Sequence, residues 1–493
     1  MPLTTSFRIS LAICAAFFAS PLIAQGSAAQ TQSAEFSAYV EEVASSKPYE
    51  SGVFAVCFMN PDGRTELLNV NGGKSVLPAS CMKTVSSGIA MSHLGPDHRF
   101  HTDVITSGSV VNGLLNGDLV VRGGGDPTLG SDRVKGSLNA LQVIDEIVST
   151  TRAVGIQSIT GDVVGDDSYF PWDPIPDGWD WQDIGNYYGA GTSGLCFSDN
   201  LYHLRFKPGK SVNDPAQIIA SDPPLPGVEW VNEMRTGAAG SGDQGYIYGA
   251  PAGSLRWVRG TVPAGDIFSI RGSLPDPALT CAHMLKAALN SQGIRVGGIA
   301  RSTRGKSEGT GGSKILTLES PRVADIMFNL NKESFNLYAE MMLMHTSRSA
   351  DDGLRAAGVK LEEKFLKEAN VPMNGWNITD GSGLGRTNTV TAIGMVHYLS
   401  ALMKKPHFKE WKNTIAVMGV DGDLAKRSIG TPLVKNVIGK TGYIGGSRGL
   451  VGYLTTHSGK ELTFAILANH FDGTMKSVDA DIDKVLLKAY ETW

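Results

Sequence analysis

Cysteine is scarce in this chain. Five occur in 493 residues, one of them within the first thirty; the others are Cys57, Cys81, Cys196 and Cys281. Four cysteines over such a length make no disulfide framework, and no pair has the CxxC spacing of a redox or zinc site. Buried thiols are the expectation, although an oxidising compartment would permit a bridge. The ten histidines include no HExxH pattern, so neither a catalytic metal nor any other cofactor is expected. An excess of one charge is also missing. A formal net charge of −4 gives no general attraction to nucleic acid or to an anionic membrane, and leaves open only a peripheral membrane contact. The apolar stretch at residues 11–24 (LAICAAFFASPLIA) is short for a membrane span.

That stretch follows Arg8, the only early charge, and precedes small and polar residues. This is the layout of a secretory signal over residues 1–29, with cleavage after Ala24 or Ala29, and the chain is read as exported. With 42% hydrophobic and 19% charged residues the remainder is a folded protein, too long for one ordinary core.

Periodicity organises the two ends. Residues 34–46 read as an amphipathic helix, 52–59 (GVFAVCFM) as a buried strand, and 65–70 as its hairpin partner across Pro61-Asp62-Gly63. A helix follows over 80–93 behind Pro78. Near the other end, 434–440, 449–456 and 461–469 read as strands, separated by turns at Gly445-Gly446 and Ser458-Gly459. A closing helix runs over 476–492, with Val478, Ile482, Val485, Leu486 and Tyr490 at helical spacing. Two early and three late strands can complete one antiparallel sheet covered by the first and last helices. The span between them is rich in glycine and short strand-like runs, and reads as an insertion over 98–312, with an inner subdomain at about 168–260. The flanking pieces, 30–97 and 313–493, form the main domain.

Three short elements carry chemistry. Ser80-Cys81-Met82-Lys83 is an SxxK at a helix start, where residues three apart share a face. Serine needs a base, and lysine serves only when burial or a second cation lowers its pKa. The helix N-terminus adds partial positive charge where an oxyanion would form. Ser334-Phe335-Asn336 is an SxN before a helix over 337–344, placing a hydroxyl and a carboxamide on one turn. Lys440-Thr441-Gly442 lies on a predicted edge strand, offering charge, a hydroxyl, and a glycine that lets a ligand approach the backbone. Each triplet alone is commonplace, and a helix cap or a solvated strand explains most examples. In this order, on these elements, they match the trio of serine β-lactamases and penicillin-binding proteins. Two glycine-rich decoys fail: residue 68, where a phosphate loop ending in Gly73-Lys74-Ser75 needs glycine, is Leu68, and residues 122–126 lack GxGxxG spacing.

With these motifs the chain resembles the class C low-molecular-mass penicillin-binding proteins, the D-alanyl-D-alanine carboxypeptidase/endopeptidase family, over nearly the whole mature length. Further matches are GGGDPTL at 123–129, GDDSYF at 165–170, YYGA at 187–190, DGSGLGR at 380–386 and GVDGDL at 419–424. The family usually has SDN where this chain has Phe335.

The resemblance implies an α+β, penicillin-binding/serine β-lactamase-like fold with inserted mainly-β domains. It implies a periplasmic enzyme that acts on peptidoglycan peptides and is blocked by β-lactam antibiotics. Ser80 would be acylated, Lys83 would take its proton, Ser334 would relay it, and Asn336 would bind the peptide amide. Lys440 would keep the site electropositive, Thr441 would grip the terminal carboxylate beside Gly442, and the N–H groups of Ser80 and Tyr443 would form the oxyanion hole. Asp167 (with Asp166 as the ambiguous neighbour), Arg386 and Leu384 would line a pocket for a diaminopimelate side chain. A serine β-lactamase or related esterase, and a non-catalytic peptidoglycan-binding protein, are the competing readings; both lysines and both serines being present argues against the last.

Overall fold

The computed structural model describes residues 21–309, 311–348 and 354–493. The expected export signal lies mostly on residues 1–20, outside the described residues. The apolar run at the start forms the strand Val53–Met59, and Glu66–Val70 returns beside it. Their turn is tied by Asp62, whose carboxylate accepts from the N–H groups of Arg64 and Thr65 and from the Thr65 hydroxyl. Three late strands complete an antiparallel five-stranded sheet in the order Val437–Ile444, Ser447–Thr455, Glu461–Asn469, Val53–Met59, Glu66–Val70.

Both faces of this sheet are buried, and alternation divides them. Phe54, Val56 and Phe58 point to one face, beneath the helices Pro21–Ala44 and Met475–Thr492. There Trp493 meets Phe36 and Phe58 with ring centroids 5.2 and 5.4 Å away, which joins the first helix to the last. Ala55, Cys57 and Met59 point to the other face, packed by Lys83–Leu94, Val323–Lys332, Asn336–Ser347 and Ala392–Leu402. The fold is α+β, as expected. One strand differs in extent: the edge strand begins at Val437, not 434, because Lys435 has a left-handed φ of 65° that no strand accommodates. It also continues to Ile444, so the whole Lys-Thr-Gly triplet lies inside it.

The chain between these halves leaves and returns as a pair of strands, His101–Thr106 against Ser313–Glu319. Those two belong to a mixed five-stranded sheet with Leu119–Arg122, Val163–Asp166 and Ala300–Ser302, backed by the helices Ala140–Ala153 and Pro277–Ser291. Ser313–Glu319 therefore hydrogen-bonds within the insertion sheet rather than with the segment after it. A further core unites two three-stranded sheets drawn from Leu201–Lys207 through Phe268–Ser273. All four described cysteines are buried and free. The Cys81 thiol, pushed up to about 12 by burial, donates to the carbonyl of Lys440 at 3.4 Å.

Candidate active site

The SxxK does not lie wholly on an α-helix. Ala79–Met82 is a 3₁₀ turn leading into the α-helix Lys83–Leu94. In a 3₁₀ turn the side chains at i and i+3 eclipse, and Lys83 Nζ lies 2.8 Å from Ser80 Oγ. The same amine contacts Asn336 Oδ1 at 2.6 Å and the Ser382 carbonyl at 2.8 Å. Two of these three neighbours can only accept, so an uncharged amine donates both protons there and turns its lone pair on the serine hydroxyl. Ser382 is held in turn, its N–H donating to buried Glu340 at 2.8 Å, which is paired with Arg355. Burial, and next the charge of Lys440, pull the Lys83 ammonium down to about 7, against the opposing effect of Asp380, Glu340 and Asp423.

Ser334 and Asn336 flank the junction between Val323–Lys332 and Asn336–Ser347. Ser334 sits at a φ of 59°, a left-handed conformation that costs a non-glycine residue roughly 1–3 kcal/mol and often marks functional turns. Asn336 is oriented from both ends: Oδ1 accepts from Lys83, and Nδ2 donates to the Tyr188 carbonyl at 2.8 Å. Phe335, the departure from the family triplet, turns away from the cleft. Its buried ring lies under the Arg133 guanidinium (4.7 Å) and edge-on to Tyr338 (4.8 Å), so it fills the seam with the insertion and does not narrow the cleft.

The edge strand supplies the opposite wall. A Cβ on Gly442 would stand 2.5 Å from the Pro78 carbonyl and 2.9 Å from Cys81 Sγ. The glycine is therefore needed for the strand to approach the SxxK turn, a reason internal to the fold rather than ligand access. Lys440 is buried, its pKa lowered by that burial although Asp423 opposes the effect; Nζ lies 3.4 Å from Asp423 Oδ2. Thr441 Oγ1 donates to the same carboxylate oxygen at 2.8 Å. Ser80, Ser334, Asp423, Thr441, Tyr443 and Arg448 line one open cleft of about 370 Å³.

Asp423, Arg448 and Tyr188 are the residues that sequence reasoning left without a role. The first and last fall in GVDGDL and YYGA, whose side-chain directions no local spacing reveals.

Of the expected side-chain pocket, part is brought together and part is not. Arg386 Nε donates to Asp180 at 2.6 Å and Nη1 to the Gly445 carbonyl at 3.1 Å, next to the edge strand. Leu384 is half-buried two residues before it. Asp183 lies three residues on from Asp180; burial raises its pKa, followed by the nearby charge of Asp180, while a Tyr188 hydrogen bond and the charge of Arg386 oppose the rise. Asp167 is not brought to this group. Its carboxylate accepts from Thr303 Oγ1 (2.7 Å) and the Gly305 N–H (2.8 Å) inside the insertion, and Asp166 pairs with Arg122 at 2.8 Å. The carboxylate that the structure places against Arg386 is that of Asp180, presented by the segment that also anchors Trp179 Nε1 on Asp380 (2.9 Å). A nucleophilic hydroxyl with an amine base, a second hydroxyl and a buried cation is an acyl-transfer arrangement.

A family model described as the D-Ala-D-Ala carboxypeptidase 3 (S13) family matches residues 36–489. The chain is 29% identical over 488 residues to the D-alanyl-D-alanine carboxypeptidase of Actinomadura sp., covering 96% of this chain and 87% of that one. It is 25% identical over 422 residues to a D-alanyl-D-alanine carboxypeptidase of Haemophilus influenzae, covering 82% and 83%. Among solved structures it is similar to penicillin binding protein 4 of Haemophilus influenzae, with a TM-score of 0.76 at 22% identity over 91% of this chain and 97% of that one. That protein has also been solved in complex with a β-lactam.

Proposed function

This chain belongs to the D-Ala-D-Ala carboxypeptidase 3 (S13) family, and from that premise we propose how its cleft works as a serine-type D-Ala-D-Ala carboxypeptidase/endopeptidase of peptidoglycan. Ser80 Oγ attacks the carbonyl carbon of the penultimate D-alanine while its proton passes to the neutral Lys83 amine. The negative oxygen that develops is met by the N–H groups of Ser80 and Tyr443, the contribution usually worth most in acyl transfer. The proton then returns through Ser334 Oγ to the leaving amine, the C–N bond breaks, and water releases the acyl group from Ser80. Asn336 serves twice, fixing the Lys83 amine and offering its amide to the substrate backbone. Lys440 and Thr441 face the terminal group of the leaving residue.

The observation that carries this reading is the Lys83 amine, wedged between Ser80 Oγ, Asn336 Oδ1 and the Ser382 carbonyl at 2.6–2.8 Å. β-Lactams acylate the same serine. The enzyme works outside the cytoplasm, in the periplasm, where its substrate lies. Arg386 and Leu384, with Asp180 in place of Asp167, receive the charged end and stem of a diaminopimelate side chain; a carboxylate and a guanidinium together suit a carbon bearing both amino and carboxyl groups. Mass spectrometry of products from purified monomeric and cross-linked muropeptides tests the reading: loss of terminal D-alanine or scission of cross-links supports it, and unchanged muropeptides contradict it.

A further inference from the structure

Ser334 lines the cleft at a φ of 59°, and such a conformation persists only where its surroundings enforce it. Part of that enforcement comes from the insertion. The residues on either side of Ser334, Glu333 and Phe335, both meet Arg133. Its Nη1 donates to Glu333 Oε2 at 3.0 Å, and its guanidinium carbon stands 4.7 Å from the centre of the Phe335 ring. A planar guanidinium can pair with a carboxylate through its edge while its face stacks on a ring.

Arg133 is itself fixed. Nε donates to Asp199 Oδ2 at 3.0 Å, and Asp199 Oδ1 accepts from the Tyr338 hydroxyl at 2.7 Å. The Arg133 carbonyl accepts from Asn329 Nδ2 at 3.0 Å, and the same amide reaches Glu333 Oε1 at 3.1 Å. Tyr338 closes the cluster edge-on against Phe335. Backbone bonds from Glu333 to Asn329 and from Phe335 to Leu330 hold the main chain of the turn, and Arg133 holds its two flanking side chains.

Resting on the peptidase reading above, we propose that Arg133 is a positioning residue for the proton relay. By clamping Glu333 and Phe335 it keeps Ser334 Oγ where it delivers the Lys83 proton to the leaving nitrogen.

When the scissile C–N bond breaks, nitrogen takes the electron pair and needs that proton to leave as an amine. A thiolate leaves from a C–S bond without one. The test therefore measures kcat/KM on the full chain for two otherwise identical peptides, one ending in D-Ala-D-Ala and one with D-thiolactate as its last residue. Ser334→Ala, which removes the relay, lowers the amide-to-thioester ratio about a hundredfold or more. Arg133→Gln lowers it about tenfold through a misplaced relay, and Arg133→Lys, which keeps a charge for Glu333 but no planar face, falls between that and wild type. On the Ser334→Ala background, Arg133→Gln changes the ratio no further. The ratio is internal to each variant, so partial misfolding cancels; where Arg133→Gln fails to fold, Phe335→Leu, which removes the ring and keeps an apolar side chain, carries the same comparison. A ratio unmoved by these changes, or one that falls equally on the Ser334→Ala background, overturns the assignment and leaves the peptidase reading standing. A ratio unmoved in Ser334→Ala removes the relay and this assignment with it. A wild type that leaves the D-Ala-D-Ala peptide uncut overturns the peptidase reading as well.

Discussion

Titrating Lys83 separates a working base from a bystander. An amine brought to about 7 from the ordinary 10.5 corresponds to about 5 kcal/mol of preference for its neutral form, and burial is the larger cause. If this amine takes the Ser80 proton, acylation by a penicillin rises with pH and levels off above neutrality. At pH 6 about a tenth of the enzyme carries a neutral Lys83, and at pH 5 about a hundredth, so the rate falls about tenfold per pH unit below 7.

Two variants sharpen the test. Lys83→Arg cannot shed its proton and nearly abolishes acylation. Lys440→Met removes the second-largest cause of the shift, so the midpoint moves toward alkaline pH, only part of the way because burial remains. The assay is the second-order acylation rate, by stopped-flow with a fluorescent penicillin, from pH 5 to pH 9. A flat profile, or a midpoint unmoved in Lys440→Met, refutes the reasoning. The linkage has a definite sign as well. The folded-state pKa is below the unfolded one, so the cost of burying this lysine is fully present below about pH 7 and is relieved as pH rises from about 7 toward 10.5.

Gly442→Ala forces its new Cβ against the Pro78 carbonyl at 2.5 Å, so the edge strand must retreat from the SxxK turn and take the Tyr443 N–H with it. Acylation is expected to fall about a hundredfold, the loss of one oxyanion donor, and an unchanged rate would show that the strand has slack. Asp380→Ala strips the acceptor shared by Trp179 Nε1 and the N–H groups of Gly383 and Gly385 at 2.7–2.9 Å, and urea denaturation should record a loss of about 3 kcal/mol or more. A midpoint equal to wild type would mean that water replaces it. Arg386→Ala should lower kcat/KM for diaminopimelate-containing peptides and barely alter acylation by a penicillin lacking that side chain; equal losses for both would make Arg386 a support of the fold.

What the sequence made legible was what local spacing controls. Phe54, Val56 and Phe58 of the apolar run at Val53–Met59 and the helical spacing of Val478, Ile482, Val485 and Leu486 correspond to buried faces of one core. The SxxK spacing needs only a single turn to bring amine and hydroxyl together, and it does so in a 3₁₀ turn as well as in an α-helix. What escaped depends on contacts between distant segments. Asn336 to Tyr188 and Arg386 to Asp180 join the main domain to the insertion across 148 and 206 residues, and no periodicity encodes them. The GDD stretch offered two adjacent aspartates, but the insertion's own sheet consumes both, on Arg122 and on Thr303. Phe335 likewise has no direction until Arg133 and Tyr338 are placed around it. The start of the edge strand was missed because a left-handed Lys435 carries no compositional mark.

Ser80 is the residue on which everything else converges. Labelling the purified protein with a reporter penicillin, digesting it and sequencing the adduct by mass spectrometry places the acyl group directly. The adduct is expected on Ser80 alone, with no covalent label on Ser80→Ala folded to wild-type stability. Label on any other residue, or label that persists in Ser80→Ala, contradicts it.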